Sequence, residues 1–339
     1  MGVPFNDAEQ AIDDAVSEIF ESDPTVQSVG IGRHGEGYGF RVVRNAAMIL
    51  PLKANPGPPI HKFQNIPVTF VKSHDEVSSV ARVPHTGPGS PGIISRVPEQ
   101  KRHRGLVCGL QIQNFDDDVR EGTIDDGSIV VGTLGCFVRQ AGGDLAVLSN
   151  NHVVAGQNRG KKGKDRILQP GGSVGGDDEV AVLTDFVKLK ASPPGASSKR
   201  GTVILNDVVA GIATLTENTL STQGYLHFRG LTAPSGTTIP IAGDKVFKVG
   251  RTTGLTRGTI TEVGVTAGPI NYDIGPCWFR RMLVILGDDG TMFSDLGDSG
   301  SVIVKTSGEV VGLLIAGNGT QSYACPIDQV LTALNCSLV

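Results

Sequence analysis

From Leu106 onward the chain is a succession of short apolar runs, each cut off by Gly, Asp or Asn. They read LVCGLQIQ, SIVVGTLGCFV, LAVLSN, EVAVLTDFVKL, DVVAGIATL, KVFKVG, GTITEVGV, RRMLVILG, SVIVKTSGEVVGLLIAG and SYACPI. Val, Ile and Thr recur in them, side chains that suit a pleated, half-buried surface, and the interruptions carry turn chemistry. Strands this frequent, with no helical pattern between them, argue against a parallel α/β sheet and for a sandwich or barrels. Glycine supplies 46 of the 339 residues, roughly twice the average usage of about 7%, as many tight turns require. The region 105–339 is generous for one barrel and fits two, the first over about 105–215 and the second over about 225–325. PIDQVLTALN then reads as a terminal helix over 326–335 with Pro326 at its start.

The first 82 residues have a different texture. Asn6 with Glu9 three residues on reads as a helix cap. Ile12, Ala15, Val16, Ile19 and Phe20 follow at helical spacing and give one apolar face. Strand patterns then cover 26–32, 38–46 and 66–72, so a small α+β module is expected over 1–82. A segment rich in Pro, Gly and Ser, VPHTGPGSPGIISRV at 83–97, marks a linker over 83–104.

Several function classes fall away. Thirty basic against 34 acidic residues give a net charge of −4, which argues against a dedicated nucleic-acid binder. No run approaches the apolar length of a membrane-spanning helix, and the acidic start MGVPFNDAEQAIDD lacks the apolar core of a secretory signal. The five cysteines are odd in number and lack metal-ligand spacing, a pattern that suits reduced thiols in a cytoplasmic protein. Neither terminus reads as a lipidation site: position 6 is Asn, and Cys-Ser-Leu-Val follows an ordinary amphipathic helix. GRTTGLTRG at 250–258 lies between strand patterns and reads as a hairpin turn, not a phosphate loop. No metal, nucleotide or other cofactor is expected.

The remaining chemistry gathers around TMFSDLGDSGSVIV at 291–304, where Ser299 sits between Asp298 and Gly300 just before an apolar strand. Gly, Asp and Ser are also ordinary turn residues, so Ser299 gains meaning only from a base and an acid elsewhere. All seven histidines precede it. This order excludes the α/β-hydrolase arrangement, in which the histidine follows the serine, and leaves either His–Asp–Ser or Asp–His–Ser. His152, in LAVLSNNHVVAG, stands at a strand end where packing can fix the ring, whereas His227, in YLHFRG, reads as an ordinary strand position. Asp207, in TVILNDVVAGIATL, is the acid set inside a long apolar stretch, with Asp185 in LTDFVKL a weaker competitor. A buried carboxylate is costly unless paired.

The blocks SNNHVVA, LNDVVAGIA and GDSGSVIV resemble the three catalytic blocks of trypsin-like serine peptidases. GEVVGLLIAG at 308–317 is similar to the strand that borders the substrate cleft in Deg-type proteases. ILQPGG at 167–172 and FKVGRTTGLTRGTI at 247–260 resemble a cytosolic branch that includes bacterial trypsin-like proteins and the plant narrow-leaf proteins. The resemblance covers about residues 105–339 and implies two antiparallel six-stranded β-barrels of chymotrypsin type. It implies Ser299 as nucleophile, His152 as base and Asp207 as the group that holds the imidazole tautomer. It places the oxyanion hole at the backbone N–H groups of Gly297 and Ser299, and the specificity pocket at Phe293, Ile315, Ala316 and Gly317. An uncharged pocket of that kind implies apolar residues before the cut.

The expected function is therefore an intracellular serine endopeptidase acting on protein or peptide substrates, with no nucleic-acid or membrane partner and with homo-oligomerisation left open. The alternative is a catalytically silent trypsin-like scaffold that binds protein partners, and an esterase on the same residues is a third reading. The N-terminal module would then be a docking surface or an autoinhibitory lid. The basic loop QNRGKKGKDR at 157–166 reads as a solvated surface loop, with an anionic regulator or acidic substrate as the sharper reading.

Overall fold

A computed structural model describes residues 1–23, 25–45, 62–73, 81–84, 97–123, 128–171, 178–193, 203–216, 219, 221–225 and 231–339. Helix α1 (Phe5–Ser22) buries Ala8, Ala11, Ile12, Ala15, Ile19 and Phe20 on one face, as the spacing expects. It begins one residue before Asn6, however, with Pro4 at the cap and no capping side chain. Reciprocal backbone bonds between Val3 and Tyr38 (2.9 and 2.8 Å) fix the chain's entry instead.

The N-terminal strands are β1 (Val26–His34), β2 (Gly37–Asn45), β3 (Lys62–Phe63), β4 (Ile66–Ser73) and β5 (Ala81–Pro84). The next group comprises β6 (Leu106–Cys108), β7 (Gln111–Asn114), β8 (Ser128–Thr133), β9 (Cys136–Gln140), β10 (Leu145–Ser149), β11 (Arg166–Leu168) and β12 (Glu179–Phe186). Then come β13 (Leu205–Asn206), β14 (Gly211–Leu215), β15 (Ser221–Tyr225), β16 (Lys245–Gly250), β17 (Gly254–Tyr272) and β18 (Gly275–Gly287). The last strands are β19 (Val302–Lys305), β20 (Val310–Gly317), β21 (Gln321–Pro326) and β22 (Cys336–Leu338). Short helices α2 (Phe115–Glu121), α3 (Asn151–Val154) and α4 (Ile327–Ala333) interrupt them. The molecule is mainly β, and GRTTG is the turn of the β16–β17 hairpin, closing at Gly250↔Gly254.

Among the described residues one sheet runs β13-β18-β21-β20-β19-β16-β17-β1-β2-β4-β3, with a further β17–β18 pairing that completes a circuit through β16–β21. A second runs β22-β9-β10-β14-β12-β11-β7-β8-β5, and β15 pairs with β6. Two features depart from the expected layout. The N-terminal segment joins the long sheet, because β1 pairs antiparallel with β17 from Ser28↔Ala267 to Gly32↔Glu262. One core joins Ile12, Ile19, Phe20, Val29 and Phe40 to Val246, Ile260, Ile285, Phe293 and Leu314. Val83 and Pro84, expected in the linker, lie in β5 and pair with β8; residues 85–96 of that linker, and His227, lie outside the described residues. The terminal Cys-Ser-Leu forms β22 against β9, so the chain's end crosses back to the other sheet. Among the described residues no helix is long and apolar enough to cross a membrane.

Glu262 lies at the seam between β17 and β1. Its carboxylate is fully buried, with Arg41 Nε 2.9 Å away and itself 32% exposed. Burial raises its pKa from 4.5 to about 7 against the opposing pull of Arg41. A carboxyl whose folded pKa is raised contributes its full stability below about 4.5, and that stability is lost as pH rises through about 7. Glu262→Gln keeps the shape and removes the titration. At pH 8.5 the variant is expected to be more stable than the wild type by up to about 3 kcal/mol, shrinking toward parity at pH 4.5. Urea midpoints at the two pH values decide this, and a pH-independent difference would exclude the titration as its source.

Candidate active site

The turn that carries Ser299 is held from two sides. Thr133, at the end of β8, donates its Oγ1 to Gly297 O (2.9 Å) and its N–H to Ser299 O (2.9 Å). Gly297 and Gly300 adopt φ of +98° and +95°, a region in which a side chain is strained. A Cβ on Gly300 would also strike Ser149 Oγ and Thr133 O, so the glycines bracketing the serine serve both conformation and close approach.

Beneath the turn Asp298 is wholly buried and fully engaged. Its Oδ1 accepts from Thr252 N (2.8 Å) and Thr253 N (3.2 Å). Its Oδ2 accepts from Thr253 Oγ1 (2.6 Å) and Asp295 N (3.1 Å). Lys248 Nζ stands 3.1 Å from Oδ2, with neither side chain exposed. Burial lowers the Lys248 pKa while Asp298 pulls it back up. The lysine also donates to Thr253 Oγ1 and to Gly254 O (3.2 Å). A cation from β16 therefore neutralises the acid next to the serine. Sequence reasoning missed Lys248; the available signal was a lone charge inside the apolar run KVFKVG.

His152 lies in α3, directly after β10, in a turn tied to its surroundings by asparagines. Asn150 Nδ2 donates to Val209 O (2.7 Å), and Asn151 Nδ2 donates to Val187 O (2.7 Å) and Asn158 Oδ1 (2.9 Å). Gly132 of β8 lets this helix and the serine turn meet: a Cβ there would run into Val153 and come within 3.1 Å of Ser299 O. The fold thus brings the His152 and Ser299 segments together. The imidazole is 2% exposed, and among the described residues neither ring nitrogen has a hydrogen-bond partner. Tyr272 lies against it, with ring centroids 5.6 Å apart. Burial alone lowers the His152 pKa from 6.5 to about 3, far from the range near neutrality that suits a general base. Ser299 Oγ donates to Ile315 O at 3.3 Å, not to the imidazole.

Asp207 is not brought to His152 in this arrangement. Its carboxylate takes Arg280 as a two-point partner, Nε to Oδ1 at 2.7 Å and NH2 to Oδ2 at 3.2 Å, and is 41% exposed. Asn206, one residue earlier, locks the segment by bonds to Lys190 and to Trp278 O. Asp185, the competing acid, pairs with Lys162 at the surface.

A pocket of about 190 Å³ opens beside Ser299, lined by Ser294, Asp295, Leu296, Leu314, Ala316, Gly317, Asn318 and Gly319. Of the four residues named for the specificity pocket, Ala316 and Gly317 line this cavity. Phe293 and Ile315 do not line it: Phe293 is buried in the core shared with α1, and Ile315 points into the other core and offers only its carbonyl. Of the polar lining residues, which include Asp295 and Asn318, Ser294 is tied by its hydroxyl to Ser322, 2.6 Å away.

The basic loop after His152 is largely neutralised from within. Arg159 pairs with Asp117 (2.8 Å), Glu121 (3.2 Å) and Asp273 (3.7 Å). Arg166 pairs with Asp116 at 2.7 Å and Lys162 with Asp185. The acidic run FDDDVRE of α2 is the counterpart of the basic run, so most of the loop's charge is already answered within the chain. Among the described residues no cluster of His, Cys, Asp or Glu is arranged to hold a metal.

Residues 226–323 match the family model described as the Nal1 C-terminal domain. No curated protein gives a match. Among solved structures the chain is similar to Thermobifida fusca protease A, with 18% identity and a TM-score of 0.42 over 62% of this chain and 91% of that one. It is likewise similar to the Nocardiopsis protease NAPase, with 16% identity and a TM-score of 0.45 over 69% of this chain and 98% of that one. The chain resembles the bacterial trypsin-like serine proteases, and within residues 226–323 it resembles Nal1.

Proposed function

We propose that this protein is a serine peptidase in which Ser299 attacks the peptide carbonyl and His152 takes and returns the proton. The single observation that carries the reading is the Ser299 turn: glycine-flanked, anchored through the buried Asp298–Lys248 pair, and open to a pocket. A pinned turn of this kind can aim the N–H groups of Gly297 and Ser299 at a developing oxyanion. The circuit of strands β16–β21 is read as the second of two chymotrypsin-type barrels, and the β7–β14 sheet as the first. Asp207 takes its orienting role in a state in which Arg280 releases it. The pocket's size and largely uncharged wall favour small apolar residues before the cut.

The second reading, a silent scaffold that binds protein partners, is favoured by one observation: among the described residues the buried imidazole meets neither the serine hydroxyl nor a carboxylate. Labelling with a fluorophosphonate probe separates the two. Labelling of the intact protein that disappears in Ser299→Ala and in His152→Ala supports the peptidase, and the same sample is then offered a peptide library. A protein that stays unlabelled under all conditions supports the scaffold, and cleavage mainly after Arg or Lys would remove the specificity assignment.

A further inference from the structure

The strands β17 and β18 form a long hairpin whose tip, residues 272–275, reaches the His152 site from the opposite sheet. Tyr272 lies on the imidazole and is held from behind by Phe279, with ring centroids 6.2 Å apart. The next residue makes a reciprocal pair with the loop after His152. Gln157 Nε2 donates to Asp273 Oδ2 (2.8 Å), and Asp273 N donates to Gln157 Oε1 (2.6 Å). Arg159 NH1 adds a looser ion pair at 3.7 Å.

The loop so held is strained. Gln157 and Asn158, neither of them glycine, adopt φ of +55° and +81° directly after Gly156 at +49°. Consecutive left-handed residues of this kind persist only where surrounding contacts over-determine them, and they collect at switch regions. Asn158 is fixed by Asn151 of α3 and by Leu189 just beyond β12, whereas Gln157 is fixed by the hairpin tip alone among the side-chain bonds described for it. The imidazole beneath is buried and, among the described residues, unpartnered, an arrangement that costs a polar group free energy and gives the covered state no advantage unless opening has a use.

We propose that the tip of the β17–β18 hairpin, Tyr272 and Asp273, is a gate over His152, and that the reciprocal Gln157–Asp273 bonds are its latch. The gate rests on the peptidase reading for its purpose but not for its existence. When the latch opens, Tyr272 withdraws, the imidazole becomes hydrated and returns toward an ordinary basicity, and the ring gains freedom to turn to the Ser299 hydroxyl. The closed form is the resting enzyme, and a substrate or partner that engages the tip would open it.

The test follows His152 itself as well as the serine. Diethyl pyrocarbonate modifies accessible neutral imidazoles, and peptide mapping by mass spectrometry isolates His152 from the other histidines. Asp273→Ala is the first variant, since that side chain is 48% exposed and its loss spares the fold; Gln157→Ala is the second. Opening the latch is expected to speed His152 modification about tenfold or more, the scale of one such bond, with a parallel rise in fluorophosphonate labelling of Ser299. Heat-unfolding midpoints show that both variants remain folded. Faster His152 modification with Ser299 still unlabelled upholds the gate and removes the peptidase reading. His152 modified at the same rate in wild type and both folded variants overturns the gate, as does a rise in Ser299 labelling with no change at His152.

Discussion

Deleting residues 1–84 is expected to destroy the folded protein, not to release an active protease core. The sequence texture invites the opposite view, because a Pro/Gly/Ser-rich segment follows the N-terminal region as though it could be clipped away. The pairing excludes it. Strand β1 lies between β17 and β2, so its removal leaves β17 with a bare edge, a ready site for pairing with other chains. The deletion also uncovers one side of a core in which Val246, Val263, Leu283, Ile285 and Phe293 are all at most 5% exposed. Re-exposing such side chains costs roughly 1.5–3 kcal/mol each, and a few of them equal the whole stability of a typical domain, about 5–15 kcal/mol. Expression of residues 85–339 alone should therefore yield aggregated or dye-binding material without a cooperative melt. A monomeric fragment that melts cooperatively would show the shared core to be dispensable. Cutting the chain within 85–96 is a different operation: the nicked N-terminal part should stay in place through β1 and β5. A lid released by clipping is thus the less favoured form of regulation, and a gate built into the hairpin is the more economical one.

How far the sequence discloses this arrangement depends on whether the signal is local. Strand patterns with turn residues are local, and β1, β2 and β4 stand within two residues of their expected bounds. The glycine-flanked serine is local as well, since Gly297 and Gly300 adopt positive φ that few residues tolerate, and the SNNH turn is a strand end running straight into a short helix. The partner of a buried charge is not. Asp207 sits in an apolar stretch, and burial there would indeed demand a partner, but nothing within that stretch distinguishes His152 from Arg280 as the group it meets. Arg280 lies far along the chain and reaches Asp207 because β13 runs parallel to β18, Asn206 opposite Phe279. The same holds for the hairpin tip: Tyr272 and Asp273 look like ordinary residues of a β-turn until the length of β17 carries them to His152. Phe293 fails for another reason. Its position relative to the serine is right for a pocket floor, but α1 and β1 extend the core to that side, so a large apolar ring is drawn into the core instead.

Replacing Lys248 by Met should remove the reactivity of Ser299 along with several kcal/mol of stability. Asp298 accepts from four groups, three in the 252–253 hairpin turn and one at Asp295 in the serine's own turn, and no part of its side chain reaches water. Removing one partner of such a buried pair leaves an uncompensated charge and typically costs about 3–5 kcal/mol. The carboxylate can escape that penalty only by taking up a proton or by turning outward, and either response loosens the N–H groups that its neighbours Gly297 and Ser299 would present to substrate. Loss of one such donor is worth roughly 10²–10³ in rate, so fluorophosphonate labelling should fall by about that factor even in whatever fraction stays folded. Asp298→Asn alone should weaken the turn less, since the amide keeps an acceptor for the 252–253 backbone but leaves Lys248 buried without a counter-charge. The double variant Lys248→Met, Asp298→Asn separates charge from geometry. It holds no buried charge, so stability should recover by more than the two single effects add up to, a coupling readable from a double-mutant cycle. Labelling should recover with stability if the turn's shape is what Ser299 needs. If stability returns while labelling stays low, the ion pair itself sets the serine's environment. If Lys248→Met labels as well as the wild type, the turn holds itself, and the anchor assigned to this pair must lie with Thr133 and the two glycines.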